Sequence, residues 1–297
     1  MEGAPATVNA AVERAVWSAC ITEIGALKPG NVSVYADGHG MKAEDFIRSA
    51  QHVASVMGTP GLSVGERILR SVELTRQAVA CNTNLGIILL CAPLAQAALR
   101  QNGVPFRDSV RAVLRELDVR DAEYAYQAIR LAGPGGLGQS DRHDVHDTPT
   151  VPLLEAMAAA KERDRIARQY ATGFEDVFDF GVPCLEEALA YWRSEEWAAV
   201  TVYLGYLARF PDTHIQRKFG PETAADVQRR TVRVEAQLQR CCRPEEAVPL
   251  LMQFDAELKQ AGLNPGTSAD LTVATLLVPR LEAIVRTPQA GGQGPGP

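Results

Sequence analysis

The stretch 85–99 is apolar on almost every side, interrupted only by Pro93 and Gln96. A helix without a polar face cannot lie on a surface, so it must sit inside a bundle with other elements covering it all round. The run is shorter than the roughly 20 residues that a bilayer-spanning helix needs. A buried central helix over 82–101 is therefore expected. Pro93 should bend it, because the ring removes one hydrogen bond and crowds the preceding turn.

The covering elements read as helices too. Over 63–80, Val64, Ile68, Val72, Thr75 and Val79 form a stripe at three- and four-residue spacing, opened by the capping box Ser63–Glu66. Further helices are expected over 4–20, 42–57, 107–117, 121–131 and 150–172. The C-terminal half adds 185–193, 195–209, 221–241, 244–262 and 267–286. Only 32–35 carries a short β-like pattern. The expectation is an all-α fold, one compact multi-helix domain over 1–286. The Gly/Pro/Gln-rich tail 287–297 cannot bury apolar surface and should be disordered.

Charge and cysteine usage narrow the function classes. The formal net charge is −6, with a pI near 5.5. That balance lacks the dense Lys/Arg needed for nucleic acid or an anionic membrane, yet it accommodates a small anion held by a few local cations. The six cysteines make no C-x-x-C pair and mostly sit in apolar stretches, which fits a reducing compartment. The N-terminus has no charged region followed by an apolar core, so the cytoplasm is expected.

Chemistry concentrates at five junctions between helices. The first is Glu23 to Asn31, where Lys28 precedes the Pro29-Gly30 turn and offers a point charge suited to phosphate. The second, Asn82-Thr83-Asn84-Leu85-Gly86, opens the buried helix, where free N–H groups attract anions; an ordinary cap would explain it equally. The third is Pro134-Gly135-Gly136-Leu137-Gly138 with the Asp141/His143/Asp144/His146/Asp147 cluster. It is neither a Walker nor a Rossmann loop, and reads as a Mg²⁺ environment or a flexible polar loop. The fourth is Asp212-Thr213-His214-Ile215-Gln216-Arg217-Lys218; on a helix His214 and Lys218 share a face, as do Thr213 and Arg217. The fifth, Asn264-Pro265-Gly266-Thr267-Ser268-Ala269-Asp270, reads as a turn entering a helix.

In this order the junctions resemble the triphosphoribosyl-dephospho-CoA synthase family. The resemblance is carried by Lys28-Pro29-Gly30-Asn31-Val32, by Asn82-Thr83 with Gly86, by Asp212-Thr213 with Arg217, and most distinctively by Asn264 to Asp270. It runs from about Trp17 to Ile284. It implies an all-helical fold and a Mg²⁺-dependent reaction. In that reaction the triphosphoribosyl part of ATP joins the ribose hydroxyl of 3′-dephospho-CoA, and adenine is released. The characteristic enzymes carry Asn-Thr-His-Lys-Gly where this chain has Asn82-Thr83-Asn84-Leu85-Gly86, so Asn84 and Leu85 stand in place of His and Lys. The chain looks closer to a divergent branch with a Pro-Gly-Gly-Leu-Gly loop and Arg163-Asp164. That branch is associated with organisms using tetrahydromethanopterin-type one-carbon carriers.

The resemblance implies roles for particular residues. Lys28 and Arg217, with Lys218 in reserve, meet phosphate. Gly30, Asn31, Asn82, Thr83, Asn84, Thr213, Gly266, Thr267 and Ser268 complete the nucleotide site. Asp212 and Asp270 hold Mg²⁺ or stabilise the ribosyl cation. His214 or Glu23 moves the proton. Small-molecule nucleotides are the expected partners. A nucleotide-binding factor without catalysis, a related transferase in one-carbon cofactor biosynthesis, and an α-helical interaction module are the competing expectations.

Overall fold

The computed structural model describes residues 7–79 and 83–286; Asn82 and the tail 287–297 lie outside the described residues. Among these residues the chain is all-α. The helices are α1 (Val8–Gly25), α2 (Ala43–Gly58), α3 (Val64–Val79), α4 (Leu85–Leu99), α5 (Phe106–Glu116), α6 (Val119–Ala132) and α7 (Leu153–Ala160). They continue with α8 (Arg165–Thr172), α9 (Val182–Trp192), α10 (Glu195–Arg209), α11 (Thr213–Phe219), α12 (Pro221–Leu238), α13 (Val248–Gln260) and α14 (Gly266–Arg286). A π-helical turn, Asp176–Gly181, leads into α9, and a 3₁₀ turn, Pro244–Ala247, leads into α13. The β-like piece becomes two isolated bridges, Ser33 with Ala36 and Gly38 with Met41.

Helix α4 takes the central place that its composition demands. Ile88, Leu90, Cys91, Ala92, Leu94, Ala95 and Ala98 are fully buried, and α14, α5, α3, α2 and α1 pack around it. Each such leucine or isoleucine contributes about 1.5–3 kcal/mol on burial. Pro93 deprives the Leu89 carbonyl, four residues earlier, of its helical donor. The Tyr170 hydroxyl of α8 replaces that donor at 2.6 Å. The second buried helix, α14, lies against α1, α4 and α10.

Local chemistry explains most boundaries. Ser63 and Glu66 exchange hydrogen bonds at the start of α3, as the capping box requires. The helix expected over 150–172 is two helices, α7 and α8, because the Asp164 carboxylate caps a new start by accepting from Ile166 and Ala167 N–H. The buried Arg67 ties the end of α2 to the core by donating to the Val56 and Met57 carbonyls and to Gln96. No helix among the described residues is long and apolar enough to cross a membrane.

Candidate active site

The starts of α4 and α14 open into one cleft of about 750 Å³, which also receives the end of α1, the start of α11 and the loop 133–145. The positive ends of helix dipoles therefore face the same space. The buried lining includes Glu23, Asn31, Asn84, Asn264 and Thr267. The lining also includes Arg163, Asp164, Arg217 and the exposed Lys218, with Gly133 to Gly138.

Glycines of the junctions make room for the functional side chains. A Cβ at Gly86 would fall 1.9 Å from Asp270 Oδ2, and one at Gly266 would fall 2.5 Å from His214 Nδ1. In the Gly-rich loop, a Cβ at Gly135 would meet Lys218 Cε at 2.7 Å. Gly136 has φ +75° and is packed against the Arg217 carbonyl. Arg217 in turn donates to the Gly135 carbonyl at 3.1 Å and pairs with Asp164 at 3.2 Å.

The structure separates the expected site residues into those in the cleft and those behind it. Glu23, Asn31, Thr83, Asn84, His214, Arg217, Lys218, Gly266, Thr267 and Asp270 line it. Lys28 does not, and its expected phosphate contact is corrected: its ammonium is fully buried, 3.1 Å from Glu23, and donates to the Val32 carbonyl at 2.8 Å. Burial lowers the Lys28 pKa and raises that of Glu23, each shift being opposed by the partner's charge. Gly30 is structural too. At φ +82° it donates to Asp255 and packs under Leu258 and Pro265.

Asp212 also stands behind the cleft, and its four contacts leave no room for the expected metal. One oxygen accepts from His214 and Ile215 N–H, capping α11, and the other accepts from Ser268 N–H and Oγ. Asp212 thereby joins α11 to α14. Thr213 and Ser268 belong to this joint, since Thr213 shares a 3.0 Å hydrogen bond with Thr267 and Ser268 holds Asp212. Burial raises the Asp212 pKa, against the lowering effect of these hydrogen bonds.

His214 reaches the cleft with its Nε2 buried and without a partner. Burial, then Lys218 and Arg217, push its pKa down to about 3, so the ring is a neutral imidazole at physiological pH. Asp270 is raised well above the usual carboxylate range, by burial first and then by Glu23, Asp212 and Asp164.

The loop 133–147 is a built wall. Asp144 accepts from Ser140 N–H, His146 N–H and the His146 ring, which holds its pKa down to about 2. The Tyr126 hydroxyl holds the His143 carbonyl at 2.8 Å. His143 adopts φ +53°, lines the cleft and keeps a buried Nε2 without a partner. No three His, Cys, Asp or Glu side chains group as metal ligands among the described residues, so the Mg²⁺ environment expected of this cluster is not formed by the chain alone. His39 lines the cleft outside every motif singled out above, and Arg163, Asp164, His143 and Asn264 line it from within such motifs, though no part of the nucleotide site was expected of them. The Asp164 cap inside an apparently continuous helix is the one sequence signal that would have marked the break.

No curated protein matches the chain. A crystal structure from Archaeoglobus fulgidus, assigned as a triphosphoribosyl-dephospho-CoA synthase, superimposes with a TM-score of 0.64 at 27% identity. The match covers 80% of this chain and 97% of that one. Residues 9–288 match the ATP:dephospho-CoA triphosphoribosyl transferase family. The chain thus belongs to the ATP:dephospho-CoA triphosphoribosyl transferase family and is a transferase of that kind.

Proposed function

We propose that the cleft transfers the triphosphoribosyl group of ATP to the ribose hydroxyl of 3′-dephospho-CoA and releases adenine. One observation carries the reading: junctions far apart in sequence meet around one cleft that Arg163, Arg217 and Lys218 line together with Glu23 and Asp270. The cations and the Gly-rich loop meet the triphosphate, for which Arg supplies a planar fork and Lys a point charge. Asn31, Asn84, Asn264 and Thr267 offer hydrogen bonds to the sugar and base. Displacing a purine from C1′ generates oxocarbenium character, and the Glu23 carboxylate in the cleft stabilises that charge.

Mg²⁺ enters as part of the ATP complex, bound by phosphate oxygens, as nucleotide-associated Mg²⁺ usually is. Asp212 does not fit a ligand role, because both its oxygens are occupied. The residues that bear on the reaction are then Glu23, for the acceptor proton, and Lys28, which fixes Glu23 from behind.

The test is the mass of the product after incubation with ATP, Mg²⁺ and 3′-dephospho-CoA. An adduct heavier by one triphosphoribosyl unit is expected; ADP or AMP without that adduct would contradict the proposal. A second acceptor, a precursor in one-carbon cofactor biosynthesis, is favoured by one observation. Asn84 and Leu85 line the cleft where the characteristic enzymes carry His and Lys. An adduct formed with such a precursor and absent with dephospho-CoA would establish that reading instead.

A further inference from the structure

Asn31, in the turn after α1, and Asn264, in the turn before α14, stand 233 positions apart in the chain and are joined side chain to side chain. Asn31 Nδ2 donates to Asn264 Oδ1 at 2.8 Å. Close packing of the two turns holds the amides there: a Cβ at Gly30 would fall 2.9 Å from Pro265 Cδ, so the approach requires a glycine. Each backbone is pinned as well, with Asn31 N–H donating to the Lys28 carbonyl and the Asn264 carbonyl accepting from Gly266 N–H. Both side chains line the cleft, at 5% and 9% exposure.

The bond between them leaves one polar atom of each amide free. Asn31 Oδ1 and Asn264 Nδ2 have no partner among the described residues, and neither is sealed off from the cleft. Polar groups of side chains so buried are nearly always bonded, so a ligand or water must serve these two atoms. Their chemistry limits what that ligand is. A phosphate oxygen only accepts, and the free carbonyl would repel it. The cations that suit phosphate are on α11, beside Gly135 and Gly136. Turning both amides together preserves the bond between them and exchanges the two free atoms, so the pair always offers one acceptor and one donor. A purine edge, whose donor and acceptor are fixed, fits one of these arrangements. A hydroxyl donates and accepts at once, and fits both. Two vicinal hydroxyls engage both free atoms together.

We propose that the Asn31–Asn264 amide pair binds the vicinal 2′- and 3′-hydroxyls of a nucleotide ribose, an assignment that deepens the transferase reading above and rests on it. One hydroxyl donates to the free amide carbonyl while its neighbour accepts from the free amide N–H. Both substrates of the proposed reaction bring such a diol, ATP on the ribose that is transferred and 3′-dephospho-CoA on the ribose that attacks. The pair fixes that sugar in the cleft that Glu23 also lines.

The test measures dissociation constants by calorimetry on the full chain with Mg²⁺. One series compares ATP with 2′-deoxy-ATP and 3′-deoxy-ATP; the other compares 3′-dephospho-CoA with its own 2′-deoxy and 3′-deoxy forms. In one series the wild type should lose about 10–100-fold in affinity for each missing hydroxyl. In Asn31→Ala and Asn264→Ala, with folding checked by circular dichroism and melting, the members of that series should bind within about threefold of one another. The series that collapses identifies the ribose seated on the pair. Where one variant fails to fold, the wild-type series and the other variant decide. A merely structural role would lower Tm and leave the hydroxyl dependence intact. Dependence in neither series, or dependence that survives the variants, would overturn the site. ATP bound with that dependence, but no adenine release with any acceptor, would overturn the transferase reading and keep the site. Adenine release without the dependence would do the reverse.

Discussion

Asp212 and Asp270 are both acids raised by burial, and their partners separate them. Asp212 is surrounded by donors, so its removal strands N–H groups at the starts of α11 and α14. Asp212→Ala should lower stability by about 2–3 kcal/mol, or roughly 5–10 °C in Tm. A variant that melts like the wild type yet lacks activity would contradict this positioning role. Asp270 has the opposite signature. Its pKa is raised in the folded protein, so the native state holds the proton more tightly than the unfolded chain. The resulting stability is complete below the unfolded carboxylate pKa of about 3.9 and is lost as pH rises towards the folded value. Asp270→Asn cannot ionise. It should therefore match the wild type near pH 4 and exceed it increasingly towards pH 8 in urea midpoints. A variant less stable throughout that range would refute the account of this residue.

At the scale of elements, α4 shows how composition dictates position and how a defect in the helix is repaired from outside it. The uniform apolar run specifies burial, and Pro93 frees a carbonyl that must find a donor. Tyr170→Phe should cost about 1–3 kcal/mol by leaving the Leu89 carbonyl unpaired. Adding Pro93→Ala restores an N–H to the helix, so the tyrosine should then matter less, with a coupling energy of about 1 kcal/mol. Additive effects in the double-mutant cycle would show that the two sites are independent. Helix identity was legible wherever a stripe of several turns existed, as in α3 and α10. The short α11 carries too few turns for a periodic signal, and its cap, Asp212, reads equally well as a catalytic acid. The break before α8 is hidden because Arg163-Asp164-Arg165 suits an exposed helical face as readily as a cap.

Across the whole molecule, the site was legible as a set of residue types, and its division into cleft and support was not. Lys28 illustrates the limit: a lysine before Pro-Gly reads as a solvated cation, and only packing shows that Glu23 is buried beside it. The approach of Gly86 to Asp270 joins positions in two different helices, and no local pattern encodes that approach. What the sequence carried well was the order of the junctions, which brought family and fold together. The fold then sets the starts of α4 and α14 against one cleft lined by cations, a Gly-rich loop and an unpaired acid. The most direct measurement is chromatographic detection of adenine from ATP and Mg²⁺, with and without 3′-dephospho-CoA. The account predicts adenine release that requires the acceptor and matches it mole for mole. Adenine formed at the same rate without any acceptor, or none formed while ATP binds, would contradict it.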